Sequence, residues 1–395
     1  MYLTKEEERI YDGEYGLARQ VSMKILVKLG DLYGAERLIP IDSAHISGIS
    51  YRTIGDAPIE FLRELADSGA KAAVKATMNP SSINLDNKLF ALLPKEIIER
   101  QIEIINLYKR MGLETTLTCT PYYIVRTRSG SHLAWAESSA VIYANSILNA
   151  WTNREGGPSA LASALIGKTL DYGLHRPENR RASVLVKVEA ELKSETSFGA
   201  LGIHLGEILR NRIPIICGLG RCEEHYLKQL GAAMATSSTV SMFYLGENSE
   251  AGKDVEERIS IDEKSIKISW ERLSSAPEKP DLVFVGCPHC SAEELKIVAR
   301  YLSGKRLRDD IKLWVCTSRY TLRAAKDYVK IIEAAGGQVI CDTCAVVTWL
   351  KELGVETLVT NSAKTAYYAP LINKTKTILL PLKDCIKVTC QKVKF

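Results

Sequence analysis

Asp281-Leu282-Val283-Phe284-Val285-Gly286-Cys287-Pro288-His289-Cys290 is the stretch that decides the fold of this chain. Four apolar residues run unbroken from Leu282 to Val285 and stop at glycine, cysteine and proline. That is the pattern of a short buried strand closed by a turn. The sequence downstream repeats the device. Its spacing predicts a helix over 292–302, a strand over 312–316, a helix over 320–335 and a strand over 339–340. A short helix after Cys344, a strand over 357–360, a helix over 363–371 and a strand over 377–379 follow. Strands alternating with helices imply a parallel, doubly wound α/β sheet. Ligands of such sheets bind beyond the carboxyl ends of the strands. Cys287, Cys316, Cys341, Cys344 and Asn361-Ser362 all fall at or just after expected strand ends.

Upstream the alternation is less regular. A helix is expected over 6–32 and a strand over 37–41. The polar turn Asp42-Ser43-Ala44-His45-Ile46-Ser47-Gly48 comes next. A helix over 57–68, a strand over 71–75, a helix over 94–110 and a strand over 114–118 follow, the last delivering Cys119. Helices over 138–148 and from Gly156-Gly157-Pro158 to 166 precede a strand over 183–187. A strand over 213–217 lies between helices over 199–209 and 223–234. Residues 247–280 are charged and mixed, and they mark a boundary. The expected division is an N-terminal mixed α/β region over 1–275, built of two intertwined subdomains, and a C-terminal doubly wound domain over 276–395. Cys217 and Cys316 close apolar runs and read as buried structural thiols. Cys385 and Cys390 flank an expected short alternating strand and read the same way.

The chain has 395 residues, 46% hydrophobic and 25% charged, which is a globular composition too long for one ordinary core. Its net charge of +5 is spread along the chain and interleaved with acids. No basic stripe or aromatic platform for nucleic acid is present. A mild positive bias suits a small anionic substrate instead. No apolar run is long enough to span a membrane. Thr4 with Glu7 reads as a capped helix start rather than a leader peptide. Ten cysteines without an export signal are best read as reduced thiols, so a cytoplasmic location is expected.

Three cysteine loops then carry the chemistry: Thr118-Cys119-Thr120-Pro121, Gly286-Cys287-Pro288-His289-Cys290 and Cys341-Asp342-Thr343-Cys344. The two C-x-x-C pairs could form a four-cysteine zinc knuckle, but 54 residues with full α/β units between them is a long separation. Cys-Pro-His-Cys also suits a thiol redox motif, which normally opens a helix in a much smaller fold. The third reading takes one thiolate from each loop, holding three corners of a 4Fe–4S cube and leaving one iron open as a Lewis acid. Cys119, with no cysteine nearby, suits this best. Gly218-Leu219-Gly220-Arg221 lacks the third glycine of a dinucleotide fingerprint, and Cys222-Glu223-Glu224 would face a pyrophosphate with negative charge. Thr152-Asn153-Arg154-Glu155-Gly156-Gly157-Pro158 leads into a helix start that could hold an anion, or it is simply a capped loop. Asn361-Ser362-Ala363-Lys364 ends a strand and starts a helix: Ser362 is simply an N-cap, or Lys364 at the mouth of the sheet instead binds an anion.

Together these residues resemble the catalytic large subunit of the aconitase X family. The resemblance rests on Ser43-Ala44-His45-Ile46-Ser47-Gly48, Thr118-Cys119-Thr120-Pro121-Tyr122 and Trp135-Ala136-Glu137-Ser138-Ser139-Ala140. It continues through Ala144-Asn145-Ser146, Thr152-Asn153-Arg154, Gly286-Cys287-Pro288-His289, Asp342-Thr343-Cys344 and Thr360-Asn361-Ser362-Ala363-Lys364. It implies aconitase-like three-layer α/β subdomains around a central iron–sulfur site. It also implies a hydro-lyase. Bacterial members that dehydrate hydroxyproline tend to lack a cysteine in the Gly-x-Pro-His loop. Cys287 instead resembles the archaeal branch, which dehydrates 5-phosphomevalonate to trans-anhydromevalonate 5-phosphate.

On this resemblance Cys119, Cys287 and Cys344 are the expected iron ligands, with Cys341 and Cys290 as second choices. The cluster is expected to be 4Fe–4S with one iron lacking a cysteine ligand, or 3Fe–4S as isolated. Asn145, Ser146, Arg154, Ser362 and Lys364 are the expected substrate contacts. His45, His289 and Lys364 are the expected catalytic groups. The chain ends shortly after the α/β domain, so a separate small swivelling subunit is the expected partner in a heterodimer. In this family the base is a serine of that subunit. The alternatives are a dehydratase of another small hydroxy acid, such as cis-3-hydroxy-L-proline, or a non-catalytic metal or redox protein.

Overall fold

The computed structural model describes residues 1–86, 88–220, 222–246, 255, 257–275 and 279–391. Arg221 and, within the expected boundary over 247–280, residues 247–254, 256 and 276–278 lie outside the described residues. The chain divides into two compact units. The first comprises 1–81 and 94–181, the second 82–93 and 182–395.

The first unit holds strands β1 (Leu38–Pro40), β2 (Ser43–Ile46), β3 (Lys75–Met78), β4 (Leu133–Trp135) and β5 (Lys168–Leu170). β1 and β5 form an antiparallel pair. The others form a parallel sheet ordered β3-β2-β4, so the first of the three strands is central. The polar turn expected over 42–48 is thus a strand, and all four residues of β2 are buried. Its polarity misled because the partners are distant in sequence: Ser43 Oγ accepts from the Trp135 indole at 3.2 Å, and His45 finds Thr77. The strand expected over 71–75 begins only at Lys75. The Ala72 and Ala73 amides donate outside the sheet, to the carbonyls of Met111 and Ala164. No strand runs over 114–118 either. A single parallel bridge joins Thr77 to Glu114, and Leu117 turns to positive φ just before Cys119. The helix expected over 6–32 is two, Lys5–Asp12 and Leu17–Tyr33, and the first carries the Thr4/Glu7 capping box.

The second unit contains two parallel sheets. β6 (Val184–Val188), β7 (Pro214–Cys217), β8 (Tyr244–Leu245) and β9 (Glu257–Ile261) are ordered β8-β7-β6-β9. β10 (Leu282–Cys290), β11 (Lys312–Thr317), β12 (Gln338–Ile340), β13 (Thr357–Thr360) and β14 (Lys376–Leu379) are ordered β12-β11-β10-β13-β14. The second order is doubly wound, with strand order reversing between β10 and β13. That reversal is where the crossover helices part and a crevice opens.

Cys287-Pro288-His289-Cys290 lies within β10 rather than in a turn after it. Val285 pairs with Val315 and Cys290 with Thr317, so β10 takes five steps where β11 takes two. The three extra residues form a bulge. Gly286 permits it: its φ is +108°, and a Cβ there would lie 2.2 Å from the Cys316 carbonyl oxygen. Two further expectations fail. The helix over 320–335 breaks at Ala325 into Arg319–Ala324 and Lys326–Ala334, and turns rather than a helix follow Cys344. The segment carrying Cys385 and Cys390 is a helix, Leu382–Cys390. Leu382, Cys385, Ile386 and Thr389 are buried at helical spacing, which a search for alternation overlooks.

Burial also sets how the first unit responds to acid. Desolvation lowers the pKa of His45 from the ordinary 6.5 to about 4, against an opposing pull from Glu137. Burial, and then His132, take His175 to about 3. Between pH 6.5 and 4 the unfolded chain binds protons that the folded chain refuses. This contribution to stability is therefore complete above pH 6.5 and is lost as pH falls towards 4. Urea unfolding at successive pH values should show that fall, and His45→Asn should remove about 3 kcal/mol of it by pH 4. Gly286→Ala should lower unfolding free energy by about 3 kcal/mol or more at neutral pH, because the bulge backbone cannot accept a Cβ.

Candidate active site

At the carboxyl edge of the first unit's parallel sheet, the chain continues from β3 into Asn79 and from β4 into Glu137. The Asn79 amide donates to the Ile46 carbonyl and the Ala136 amide to the His45 carbonyl, extending the ladder past the named strands. His45 is fully buried. Its Nδ1 lies 2.8 Å from Thr77 Oγ1 and its Nε2 3.4 Å from Asn79 Oδ1. Asn79 Nδ2 donates to Glu137 Oε2 at 2.9 Å, and Glu137 Oε1 accepts from the Ser139 amide and hydroxyl. Cys119 lies just past this edge. The Thr118 amide donates to the Met78 carbonyl, and the Thr118 and Thr120 hydroxyls bond each other at 3.0 Å. The Cys119 thiol is 6% exposed.

The same unit carries three expected substrate contacts. Asn145 is buried, with its amide committed. Nδ2 donates to the Thr152 carbonyl, and Oδ1 accepts from the Thr152 amide and Arg180 Nη1. Ser146 ends the helix Ser138–Ser146 and is half-buried. Arg154 is exposed and, with Lys24 and Lys28, borders a cavity of about 650 Å³. Its neighbour Glu155 is half-buried, with its pKa raised by desolvation against hydrogen bonds from Ser159 and Thr169.

In the second unit the bulge of β10 presents Cys287 and His289, which are 2% and 0% exposed. Bulged carbonyls lose their ladder partners, and the helix Glu224–Ser237 supplies replacements. Gln229 Nε2 donates to the Cys287 carbonyl at 3.3 Å and Lys228 Nζ to the His289 carbonyl at 3.0 Å. Lys228, itself buried, also forms an ion pair with the half-buried Glu294. His289 Nε2 lies 3.0 Å from the Thr343 carbonyl, which also accepts from the Cys316 thiol at 3.4 Å. The second and third cysteine loops are therefore joined through the Thr343 backbone. Thr343 Oγ1 is buried and unpartnered.

Asp342 holds the third loop. It is buried at φ +67° and paired through both oxygens with Arg319, which also reaches Asp86, while the Leu85 amide donates to Asp342. Burial, with Asp342 adjacent, pushes the Cys341 thiol up to about 12, whereas Cys344 is the turn residue beyond it. Across the switch point, Asn361 follows β13, Ser362 caps the helix Ala363–Asn373 by accepting from the Thr365 amide, and Lys364 is buried in its first turn. A cavity of about 860 Å³ within this unit is lined by Gly286, Cys290, Gln229, Glu294 and Asn361.

Sequence reading did not find Thr77, Asn79, Lys228, Gln229 or Arg319. Only Lys228-Gln229 left a trace, a polar pair opening an otherwise apolar helix face. None of the ten cysteines is in a disulfide. Among the described residues no three His, Cys, Asp or Glu side chains stand in a geometry that could hold a metal ion. None of the described helices is long and apolar enough to cross a membrane.

Relatives of known name fit this arrangement. The chain is 44% identical to the phosphomevalonate dehydratase large subunit of Methanocaldococcus jannaschii, over 98% of this chain and 100% of that one. A more distant relative, the cis-3-hydroxy-L-proline dehydratase of Pseudomonas aeruginosa, is 32% identical over 96% of this chain and 68% of its own length. The crystal structure of Thermococcus kodakaraensis aconitase X in its holo-form superposes with a TM-score of 0.92 at 43% identity, covering 98% of this chain and all of that one. Models of the first, second and third aconitase X domains match residues 1–178, 182–276 and 280–391. With nearly every residue matched by a domain of one family, the chain belongs to the aconitase X family.

Proposed function

We propose that this chain is the large subunit of a phosphomevalonate dehydratase. It would convert (R)-5-phosphomevalonate to trans-anhydromevalonate 5-phosphate, with loss of the C2 proton and the C3 hydroxyl as water. The observation that carries the reading is near-complete alignment with a relative of that name, at 44% identity. Cys287 in the bulge of β10 favours it over hydroxyproline dehydration.

Membership of an aconitase family implies an iron–sulfur cluster. The donor chemistry fits one: the cysteine loops offer buried thiols outside any disulfide, and the unpartnered Thr343 hydroxyl is next to Cys344 in the chain. Cys119, Cys287 and Cys344 are the proposed ligands of a 4Fe–4S cluster with one iron free of cysteine, or of its 3Fe–4S form as isolated. Cys341 and Cys290, which faces the cavity, rank behind them. When bound, the cluster supplies a Lewis acid for the departing hydroxyl.

The chain's own groups would bind and orient the substrate. Lys364, Ser362 and the start of the helix Ala363–Asn373 offer cationic and N–H partners for one anionic group. Arg154 and Ser146 offer them for another, with Asn145 holding the loop between them. His45 and His289 are, with Lys364, the proposed catalytic groups, His45 as an N–H donor near the leaving oxygen and His289 with its Nε2 hydrogen held by the Thr343 carbonyl. The relative's designation as a large subunit supports a small-subunit partner, and we assign the base to a serine of that subunit. Cysteines outside any disulfide suit a reducing, cytoplasmic setting.

The test is anaerobic co-expression with the candidate small subunit, followed by parallel assays on 5-phosphomevalonate and cis-3-hydroxy-L-proline. Water loss from the phosphate ester alone is expected. Turnover of hydroxyproline alone, or of neither, would overturn the assignment. Substitutions test the ligand set. Cys119→Ser, Cys287→Ser and Cys344→Ser should each abolish the brown absorbance and cut activity by more than about 100-fold. Cys290→Ser should leave both in place, whereas stoichiometric zinc in a colourless, active enzyme would dismiss the cluster.

A further inference from the structure

We propose that Glu137 and Asn79 act as a positioning pair that fixes His45 in the tautomer protonated at Nε2, with Nδ1 left to accept the Thr77 hydroxyl proton. The inference follows from hydrogen-bond bookkeeping within the first unit. Asn79 Nδ2 lies 2.9 Å from Glu137 Oε2. A carboxylate oxygen offers no proton, so the amide end facing it must be the NH₂ group. The other end of Asn79, its carbonyl Oδ1, therefore faces His45 Nε2 at 3.4 Å. A carbonyl can only accept, so that ring nitrogen carries the hydrogen. In the neutral imidazole Nδ1 is then bare, and the Thr77 hydroxyl 2.8 Å away is its donor.

Glu137 is itself held. It is the N-cap of the helix Ser138–Ser146, and its Oε1 accepts from the Ser139 amide at 3.3 Å and the Ser139 hydroxyl at 3.0 Å. The orientation of Asn79 is thus tied to a helix start and not left to the asparagine. Thr77 Oγ1 also lies 3.4 Å from the Ala44 carbonyl. Should Nδ1 gain a proton, the hydroxyl can turn to that carbonyl and accept from the ring. The arrangement accommodates either charge state at Nδ1 while Nε2 keeps its hydrogen. Of the two ring contacts the one at Nε2 is the longer, which makes it the N–H that a substrate oxygen can take over. The catalytic use of that N–H rests on the dehydratase reading, whereas the tautomer does not.

The experiment is ¹⁵N NMR of the histidine ring nitrogens in the labelled chain, with the His45 signals identified by their loss in His45→Asn. The expected wild-type result is a protonated-type shift at Nε2 and a bare-type shift at Nδ1. Glu137→Gln lets the introduced amide turn its NH₂ towards Asn79, so Asn79 can flip and an Nδ1–H population should appear. An Nδ1–H tautomer in the wild type, or no change in Glu137→Gln, overturns the proposal. Should that variant fail to fold, Asn79→Asp serves instead. It replaces the carbonyl with a charged acceptor and should raise the His45 pKa by more than about one unit with Nε2 still protonated, and an unmoved pKa overturns the proposal. In the complex with the small subunit, Glu137→Gln should lower kcat by about 10–100-fold with KM little changed. If the wild type turns over no substrate while the tautomer behaves as stated, the dehydratase reading falls and the positioning pair stands.

Discussion

The second unit depends on one close approach, the backbone of Gly286 against the carbonyl of Cys316. Because residue 286 has no Cβ, β10 can stay paired with β11 while spilling three extra residues at the carboxyl edge of the sheet. Those residues carry Cys287 and His289. Their carbonyls, deprived of ladder partners in a buried place, would each cost about 1–3 kcal/mol if left unbonded. Gln229 and Lys228 capture them. The helix over β10 is consequently held to the bulge by polar bonds as well as by packing.

Such a site needs charge where charge is costly. Buried Lys228 pairs with half-buried Glu294, and Asp342 is buried against Arg319. Buried ion pairs add little net stability, since desolvation offsets most of the attraction, but removing one partner strands the other. Their contribution is therefore geometric: Lys228 orients the His289 carbonyl, and Asp342 holds the loop of Cys341 and Cys344 in a left-handed turn. The first unit meets the same demand with one carboxylate, Glu137, bonded by neutral donors. His45, Thr77, Asn79, Glu137 and Ser139 form a chain of hydrogen bonds at the end of a sheet whose earliest strand is also central.

How much of this was legible depended on sequence distance. The alternation from residue 282 onward is written in apolar runs and turn residues, and the structure follows it nearly element by element. The capping box at Thr4 and Glu7 and the cap at Ser362 are local and were equally readable. The strand β2 was not. Ser43 and His45 look like turn residues until Trp135 and Thr77, 92 and 32 residues away, satisfy them. The helix Leu382–Cys390 was misread because a few buried residues at short range fit either period. The cysteines were visible as loop residues, but the bulge presenting Cys287 was not, since a register shift is a property of two strands.

The sequence alone thus determined the class of fold and the kinds of groups at its edges. Apolar periodicity selects a parallel sheet, a parallel sheet aligns its strand ends, and cysteines at those ends make a thiol-rich site. Tertiary structure decided which atoms are free to act. The carbonyl that Lys228 takes, the nitrogen of His45 that keeps its hydrogen, and the left-handed turn at Asp342 each depend on a partner from another part of the chain. Hydrogen bonds and ion pairs are short-ranged and directional, so nothing in the order of residues fixes them until folding brings the two groups within about 3 Å.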